Sequence, residues 1–154
     1  MIRFTIPAVP VAQPRRTQRI ISTKDGRSFA HNYTPKDHPI HAFRAAVSRA
    51  GSEAFPSGPL SGPVMLGALF IMPRPKSMTT KRGPNARVFS TKKPDVDNLM
   101  KSLADALNGI AFADDAQIAA CSLRKTIAAA DESPRVEVEV VSLVAPKPAL
   151  EAVK

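Results

Sequence analysis

The stretch VMLGALFIM, residues 64–72, is an unbroken run of apolar residues and glycine with the length of one β-strand. The chain just before it is broken by Gly and Pro at residues 58–59 and again at 62–63. A short apolar run bounded in this way is typical of a strand that is buried on both faces, in the middle of a sheet. We therefore predict that residues 64–72 form the central strand.

Three segments precede this strand. Residues 2–6, IRFTI, alternate apolar and polar side chains and predict a strand. Residues 7–37 are rich in proline and basic residues, with a turn signal at 24–26, and predict a long loop with room for a small hairpin. In residues 37–54 apolar side chains recur at helical spacing, which predicts the first helix.

A second helix and two more strands are predicted after the central strand. Residues 97–108 predict a second helix that ends at Asn108-Gly109, with an inner face made of Leu99, Leu103, Ala106, Leu107 and Ile110. Residues 117–128 and 135–144 predict two strands joined by a turn. The order β-α-β-α-β-β indicates an α/β fold of the α+β type, a single mixed sheet with two packed helices. We expect one domain over residues 1–145 and a flexible tail over residues 146–154.

Charge is distributed unevenly along the 154 residues, which carry a formal net charge of +9. Residues 1–94 hold 16 Lys and Arg against 3 acids, whereas residues 95–154 hold 6 against 10. A basic part of this size favours a nucleic acid partner over a membrane surface. No apolar run reaches the roughly 18 residues of a membrane helix. With no signal peptide and one cysteine, Cys121, which we expect in the core, the sequence predicts a cytoplasmic protein.

A second basic segment, residues 73–94, has seven Lys or Arg and no acid. Loops of this length are usually functional, so we predict that it contacts DNA. The candidate phosphate contacts of the chain are Arg15, Arg16, Arg19, Lys76, Lys81, Arg82, Arg87, Lys92 and Lys93. Phe89 is a candidate for an exposed wedge that enters the DNA.

Acidic residues are concentrated where this basic segment ends. Asp95 and Asp97 stand at the start of the second predicted helix, and Asp114 and Asp115 precede the next strand. A helix cap at Asp97 would explain one of them, but not the group. Clustered carboxylates repel each other unless a cation lies between them, and Mg²⁺ prefers oxygen ligands. We expect the chain to turn after the helix and to bring Asp115 back towards Asp95 and Asp97.

The combined pattern PDVDNLMKSLADALNG, residues 94–109, with FADDAQI, residues 112–118, resembles the RusA-type Holliday junction resolvases. The resemblance implies an endonuclease, often encoded by prophages, that acts as a homodimer on four-way DNA junctions. It implies symmetric cleavage with Mg²⁺ as cofactor, or Mn²⁺ in its place. It also implies that the metal-binding and catalytic carboxylates are Asp95, Asp97 and Asp115, and that Lys101 is the catalytic lysine.

Three more residues of this region are candidates for supporting positions around the metal: Asn98, Asp105 and Asp114. Each also has a simpler interpretation, as an exposed helix residue or a turn cap, and Lys101 is also placed for an ordinary ion pair one turn from Asp97. The alternative function is a non-catalytic DNA-binding protein with a structural acidic cluster. A D-x-D transferase is less well supported, because no Gly-rich phosphate loop precedes a helix.

Overall fold

The computed structural model describes residues 1–14, 17–79 and 85–143. Five strands form one mixed sheet in the order β1–β7–β4–β6–β5, and two strands, β2 and β3, form a separate hairpin. The strands are β1 Ile2–Ile6, β2 Thr17–Ser22, β3 Ser28–Tyr33, β4 Val64–Met72, β5 Val88–Phe89, β6 Ile118–Ile127 and β7 Arg135–Ser142. The helices are α1 Ile40–Ala54 and α2 Val96–Leu107.

Strand β4 lies at the centre of the sheet, as the sequence predicts. It pairs antiparallel with β7 on one side and parallel with β6 on the other. Its alternate residues Val64, Leu66 and Phe70 are fully buried and belong to the main core. The nine apolar residues therefore bury this strand between its neighbours and beneath the helices.

Both helices contribute to this core and pack against each other. Leu99, Leu103 and Leu107 of α2 are fully buried, which confirms the predicted inner face. At Gly51 of α1, an added Cβ would lie 2.9 Å from Leu107 Cδ2, so the glycine permits the close approach of the helices. The observed fold confirms the predicted class: a mixed sheet with two packed helices, α+β in type.

The structure adds detail that the sequence pattern did not resolve. Helix α1 begins at Ile40, after Pro39, rather than at residue 37. Helix α2 begins at Val96, so the residue at the N-cap is Asp95 and the predicted cap at Asp97 is wrong. The backbone of Asp95 is extended, with φ −72° and ψ 147°, and the helical conformation starts only after it.

Two short sheet elements lie within the segments that we predict as loops. The β2–β3 hairpin occupies part of residues 7–37, and its side chains Ile20 and Phe29 are largely exposed. Strand β5 is only two residues long and pairs with the end of β6. The predicted tail, residues 146–154, lies outside the described residues.

Cys121 is exposed, so its predicted place in the core is wrong. It belongs to β6, whose residues 119–122 are all exposed. The physical reason is that β5 covers only the far end of β6, which leaves these residues at the margin of the sheet. In the described part of the chain, no helix is long and apolar enough to cross a membrane.

Candidate active site

A pocket of about 400 Å³ opens where α2 begins. It contains both Asp95 and Asp97, and their side chains are exposed to solvent. Its walls come from the end of the basic segment, the first turn of α2 and strand β6, and its lining residues are Phe89, Ser90, Asp95, Val96, Asp97, Leu123, Arg124 and Lys125. The fold therefore brings the predicted Asp95–Asp97 pair into one cleft.

The two carboxylates are placed where negative charge is favoured, and no side chain of the described residues neutralises them. Asp95 is the N-cap residue and Asp97 lies in the first turn, near the positive end of the helix dipole. The side chain of Asp95 makes no capping hydrogen bond. Within the described ranges, neither carboxylate accepts a hydrogen bond or joins a salt bridge, so both are available to an external cation.

Lys125 holds the backbone in front of these carboxylates. It projects from β6 and its Nζ donates to the carbonyl oxygens of Lys92 and Pro94, at 2.6 Å each. Pro94 directly precedes Asp95, so the bond fixes the peptide that leads into α2. Sequence reasoning missed this residue. The available signal was its position two residues after Leu123, on the strand face that packs towards the helices.

Asp114 and Asp115 lie just before β6, in a short 3-10 turn. The Asp114 carboxylate accepts a hydrogen bond from the Ala116 amide at 2.8 Å, which confirms the capping interpretation of this residue. Gln117 completes the cap and donates through Nε2 to the carbonyl oxygens of Leu60 and Gly62. Asp115 is exposed, and its carboxylate has no partner among the residues with described positions.

The start and the end of β6 are far apart. The seven residue steps from Ile118 to Lys125 span roughly 23 Å in an extended strand. Helix α2 runs back along this distance, from the Lys125 end towards the Asp115 end. Asp115 therefore does not join Asp95 and Asp97 in one group within a single chain, and the expected return of Asp115 to this pair is wrong. Across the described residues, no three Asp, Glu, His or Cys side chains are close enough to hold a metal ion.

The remaining pair of carboxylates still matches one mode of metal binding. Mg²⁺ is commonly bound by one or two carboxylates, with waters and substrate phosphates filling its other positions. Asp95 and Asp97 provide two hard anionic ligands in an open pocket that a phosphate can reach. Within one chain, Asp95 and Asp97 are the residues that would hold a divalent ion.

Comparison with known proteins identifies the family of this chain. The family model of endodeoxyribonuclease RusA matches residues 7–141, which include every strand and helix except the first and the end of the last. The chain belongs to the RusA endodeoxyribonuclease family. It is also 31% identical over 144 residues to the uncharacterized protein YqaN of Bacillus subtilis (strain 168), over 90% of this chain and 94% of that protein.

Other predicted residues of this RusA family member lie along α2. Lys101 is exposed one turn after Asp97 and has no hydrogen bond or salt bridge to a described residue. Asp105 lies 3.8 Å from the guanidinium of Arg44 on α1, so it serves contact between the helices. Asn98 is exposed. Its backbone carbonyl oxygen accepts a hydrogen bond from the backbone N–H of Gln13 at 3.1 Å.

The candidate phosphate contacts differ in their placement. Lys92 and Lys93 are exposed beside the pocket, directly before Pro94. Lys76 is exposed in a short 3-10 turn, Lys76–Met78. For Arg19 only the backbone in β2 is described, and four candidates lie outside the described residues: Arg15, Arg16, Lys81 and Arg82.

Arg87 is part of an ion-pair cluster. Its guanidinium pairs with Glu132, which also accepts from Arg135 at 2.8 Å, and approaches Glu137 at 3.5 Å. The hydrogen bond from Arg87 is the main reason that the pKa of Glu132 falls from 4.5 to about 2. The same bond raises the pKa of Arg87. The cluster ties the chain in front of β5 to the turn between β6 and β7, and so supports one wall of the pocket.

Proposed function

We propose that this protein is a metal-dependent endonuclease that cuts four-way DNA junctions. The observation that carries the proposal is the pair Asp95 and Asp97 at a helix N-terminus beside exposed lysines, in a chain of the RusA family. Neither carboxylate has a partner among the residues that the structure describes. The net charge of +9 attracts DNA to the protein. In this pocket a bound cation would contact the DNA phosphates. The process served would be DNA recombination and repair in the cytoplasm of a bacterium that carries the gene, for example within a prophage.

Each residue of the pocket has a proposed task. Asp95 and Asp97 hold Mg²⁺ or Mn²⁺, which when bound supplies a Lewis acid and an activated water for phosphodiester hydrolysis. Lys92 and Lys93 bind the DNA backbone as it enters the pocket. Lys101 stabilises the negative charge that develops on the scissile phosphate.

The position of Asp115 supports a homodimer as part of this proposal. The family resemblance implies that Asp115 acts with Asp95 and Asp97, yet one chain separates them by roughly the length of β6. Two copies related by a two-fold axis would allow Asp115 of each to approach Asp95 and Asp97 of the other. A two-fold dimer would also present one active site to each of the two cut strands of a junction.

The rival function, a DNA-binding protein with a structural acidic cluster, has less support. A structural role requires that the carboxylates bond to something in the protein. Asp114 and Asp105 do so, through a turn cap and Arg44 respectively. Asp95, Asp97 and Asp115 have no such partner in the described part of the chain, and these are the three that the resemblance marks as catalytic.

The test is a cleavage assay on a labelled synthetic four-way junction, run with Mg²⁺, with Mn²⁺ and with EDTA. We expect binding in all three conditions and symmetric cuts only with a divalent ion. Binding should weaken steeply between 50 and 200 mM salt, since several lysines and arginines displace counterions. Cleavage that persists in EDTA would contradict the metal mechanism. Binding without any cleavage would favour the rival function.

A further inference from the structure

The β2–β3 hairpin forms a sheet of its own, and its apolar side chains are exposed. Ile20 is 73% exposed and Phe29 is 52% exposed. The antiparallel register sets Ile21 directly opposite Phe29, whereas Ile20 lies on the other face of the ribbon. None of these three side chains belongs to the core of the described residues. The ribbon therefore exposes apolar groups on both of its faces, which suits a partner that contacts it from two sides.

The tip of the hairpin is basic and is held by its own hydrogen bonds. The Thr23 amide donates to the Arg27 carbonyl at 2.8 Å, and the Gly26 amide donates to the Thr23 carbonyl at 3.0 Å. Gly26 has a φ of +79°, a conformation that favours glycine in this turn. Lys24 and Arg27 are exposed on the turn, and neither forms a salt bridge with a described residue. Residues 17–36 carry 4 Lys or Arg and 1 acid, so the ribbon is complementary to a polyanion.

The two ends of the hairpin are fastened beside the starts of the two helices. On the side that leads into β2, the Gln13 amide donates to the Asn98 carbonyl at 3.1 Å, and Asn98 directly follows Asp97. On the returning side, Nε2 of His41 lies 3.0 Å from the carbonyl oxygen of Pro35. A strand of six residues is roughly 20 Å long. The hairpin is therefore long enough to contact the duplex next to a phosphate that is bound in the candidate active site.

We infer that the β2–β3 hairpin enters the major groove of the DNA arm next to the cut, an inference that rests on the proposed function. The major groove is about 12 Å wide and admits a two-stranded β-ribbon, whereas the minor groove is only about 6 Å wide. It displays the methyl groups of thymine, which are apolar partners for Ile20, Ile21 and Phe29. The phosphates along its rims are partners for Lys24 and Arg27. A second copy of this chain fits the basic tip less well, because its net charge is also +9.

Removal of the hairpin is the first test. Thr17 and Tyr33 are direct partners in the ladder, so an Asn-Gly turn can join them in place of residues 18–32. This hairpin-deletion variant should bind a four-way junction in EDTA roughly tenfold more weakly or worse, since it loses several phosphate contacts. Its melting temperature should stay unchanged, because no described side chain of the hairpin is buried. Undiminished junction binding, or a change of oligomeric state in light scattering, would overturn the inference.

The two cations of the tip are tested through the salt dependence of binding. Lys24→Gln combined with Arg27→Gln should lower the slope of log affinity against log salt concentration by roughly two, about 0.9 for each lost phosphate contact. The matched control is Arg3→Gln combined with Arg49→Gln, which removes two exposed charges outside the hairpin and gives the same net charge. The control should keep the wild-type slope. An equal fall in both variants, or no fall in the tip variant, would contradict the inference.

The groove itself is tested by changes in the DNA. Junctions with deoxyuridine in place of thymidine lack the methyl group that thymine presents in the major groove. Wild-type protein should bind them roughly fourfold more weakly, the effect of one buried methyl-sized group, and the hairpin-deletion variant should bind both junctions equally. Guanine N7 also lies in the major groove, so wild type alone should protect it from dimethyl sulfate. Protection that survives removal of the hairpin, or no effect of deoxyuridine on wild type, would place the ribbon outside this groove.

The two proposals fail in different ways, because all of these binding measurements are made in EDTA and do not depend on cleavage. If the hairpin protects the major groove but no junction is cut with Mg²⁺ or Mn²⁺, the hairpin contact is correct and the nuclease function is wrong. If the hairpin-deletion variant binds and cuts junctions as wild type does, the function stands and the hairpin contact is wrong.

Discussion

The Nζ of Lys125 lies 2.6 Å from the carbonyl oxygen of Pro94, so a strand lysine is bonded to the peptide that precedes Asp95. A second bond of the same length joins it to Lys92. An ammonium group has three N–H donors, and these two carbonyls occupy two of them. Lys125 therefore fixes the entry to α2 and leaves one donor for the pocket that it lines.

Replacing Lys125 by Met should uncouple the carboxylates from the sheet. We expect cleavage of a four-way junction to fall by roughly 10–100-fold, the usual loss when a group that orients metal ligands is removed. Mn²⁺ binding to the free protein should weaken over the same range. Hydrogen exchange of a peptide covering residues 90–97 should become faster, which reports the loosened backbone independently of activity.

Lys125→Arg is the rescue variant, because a guanidinium can also donate to two carbonyl oxygens, and we expect it to recover part of both activity and Mn²⁺ binding. Arg3→Met, which removes one exposed charge on the far edge strand, is the matched control and should stay within twofold of wild type. Unchanged exchange at residues 90–97 in Lys125→Met would show that the lysine does not position this segment.

Asp97→Asn tests the proposed metal site with little disturbance of the fold. The residue lies in the first turn of α2 rather than at the cap, so only a favourable charge–dipole interaction of about 0.3–1 kcal/mol is lost. Cleavage should fall by at least roughly 10²–10³-fold, as for other losses of charge stabilisation. Junction binding should stay unchanged or improve slightly. Wild-type cleavage rates in the folded variant would place the active site elsewhere.

Mixed dimers test whether two chains share each site. Asp97→Asn and Asp115→Asn should each be inactive alone. When the two are mixed and exchange subunits, a heterodimer should contain one intact site, made from Asp97 of one chain and Asp115 of the other. We expect single-strand nicks without full resolution, measured on a junction labelled on each strand in turn. An inactive mixture, with subunit exchange confirmed by mass spectrometry, would place each site within one chain.

Phe89 is 76% exposed at the rim of the pocket, which confirms the exposure that the sequence suggests. An aromatic ring in this position can stack on an unpaired base at the branch point, a contact worth about 1–3 kcal/mol. Phe89→Ala should therefore weaken junction binding by roughly 5–100-fold and leave the melting temperature unchanged. Binding of linear duplex serves as the control. Equal losses on both DNAs would indicate a general rather than a branch-specific contact.

The Glu132 carboxylate predicts a dependence of stability on pH. Its pKa is about 2 in the folded chain, below its ordinary value of 4.5. A carboxyl group whose pKa is lowered by folding stabilises the folded state at any pH above its pKa in the unfolded chain. This stabilisation is lost as the pH falls towards 2, the pKa in the folded chain. Glu132→Gln should therefore cost the same free energy of unfolding at pH 7 and pH 5, and less below pH 4.5. Chemical denaturation of both proteins across this range measures the difference.

Much of the fold follows from hydrophobic pattern alone. The run at residues 64–72 and the leucines at 99, 103 and 107 fall where the sequence predicts them, because burial of these side chains fixes their orientation. Strand β5 was not predictable, since two residues carry no periodicity. Cys121 was placed wrongly because a small apolar residue does not indicate whether a neighbouring strand covers it.

The candidate site was predicted only in part. The spacing of Asp95 and Asp97 is local, so the sequence could place both at one helix start. The position of Asp115 depends on the direction in which β6 leaves the turn, and nothing in a local pattern states that direction. Lys125 resembles any strand lysine until the chain returns and brings Pro94 within 2.6 Å of it.

The opposite directions of α2 and β6 have a consequence for the cell under the proposed function. If two chains share each site, a newly synthesised chain would hold both parts of the acidic motif but would not cut DNA by itself. At low abundance, the amount of active enzyme would rise with the square of the number of chains. At a low expression level most chains would then be monomers and would leave the chromosome uncut. Cleavage activity would become substantial only when the gene is strongly induced.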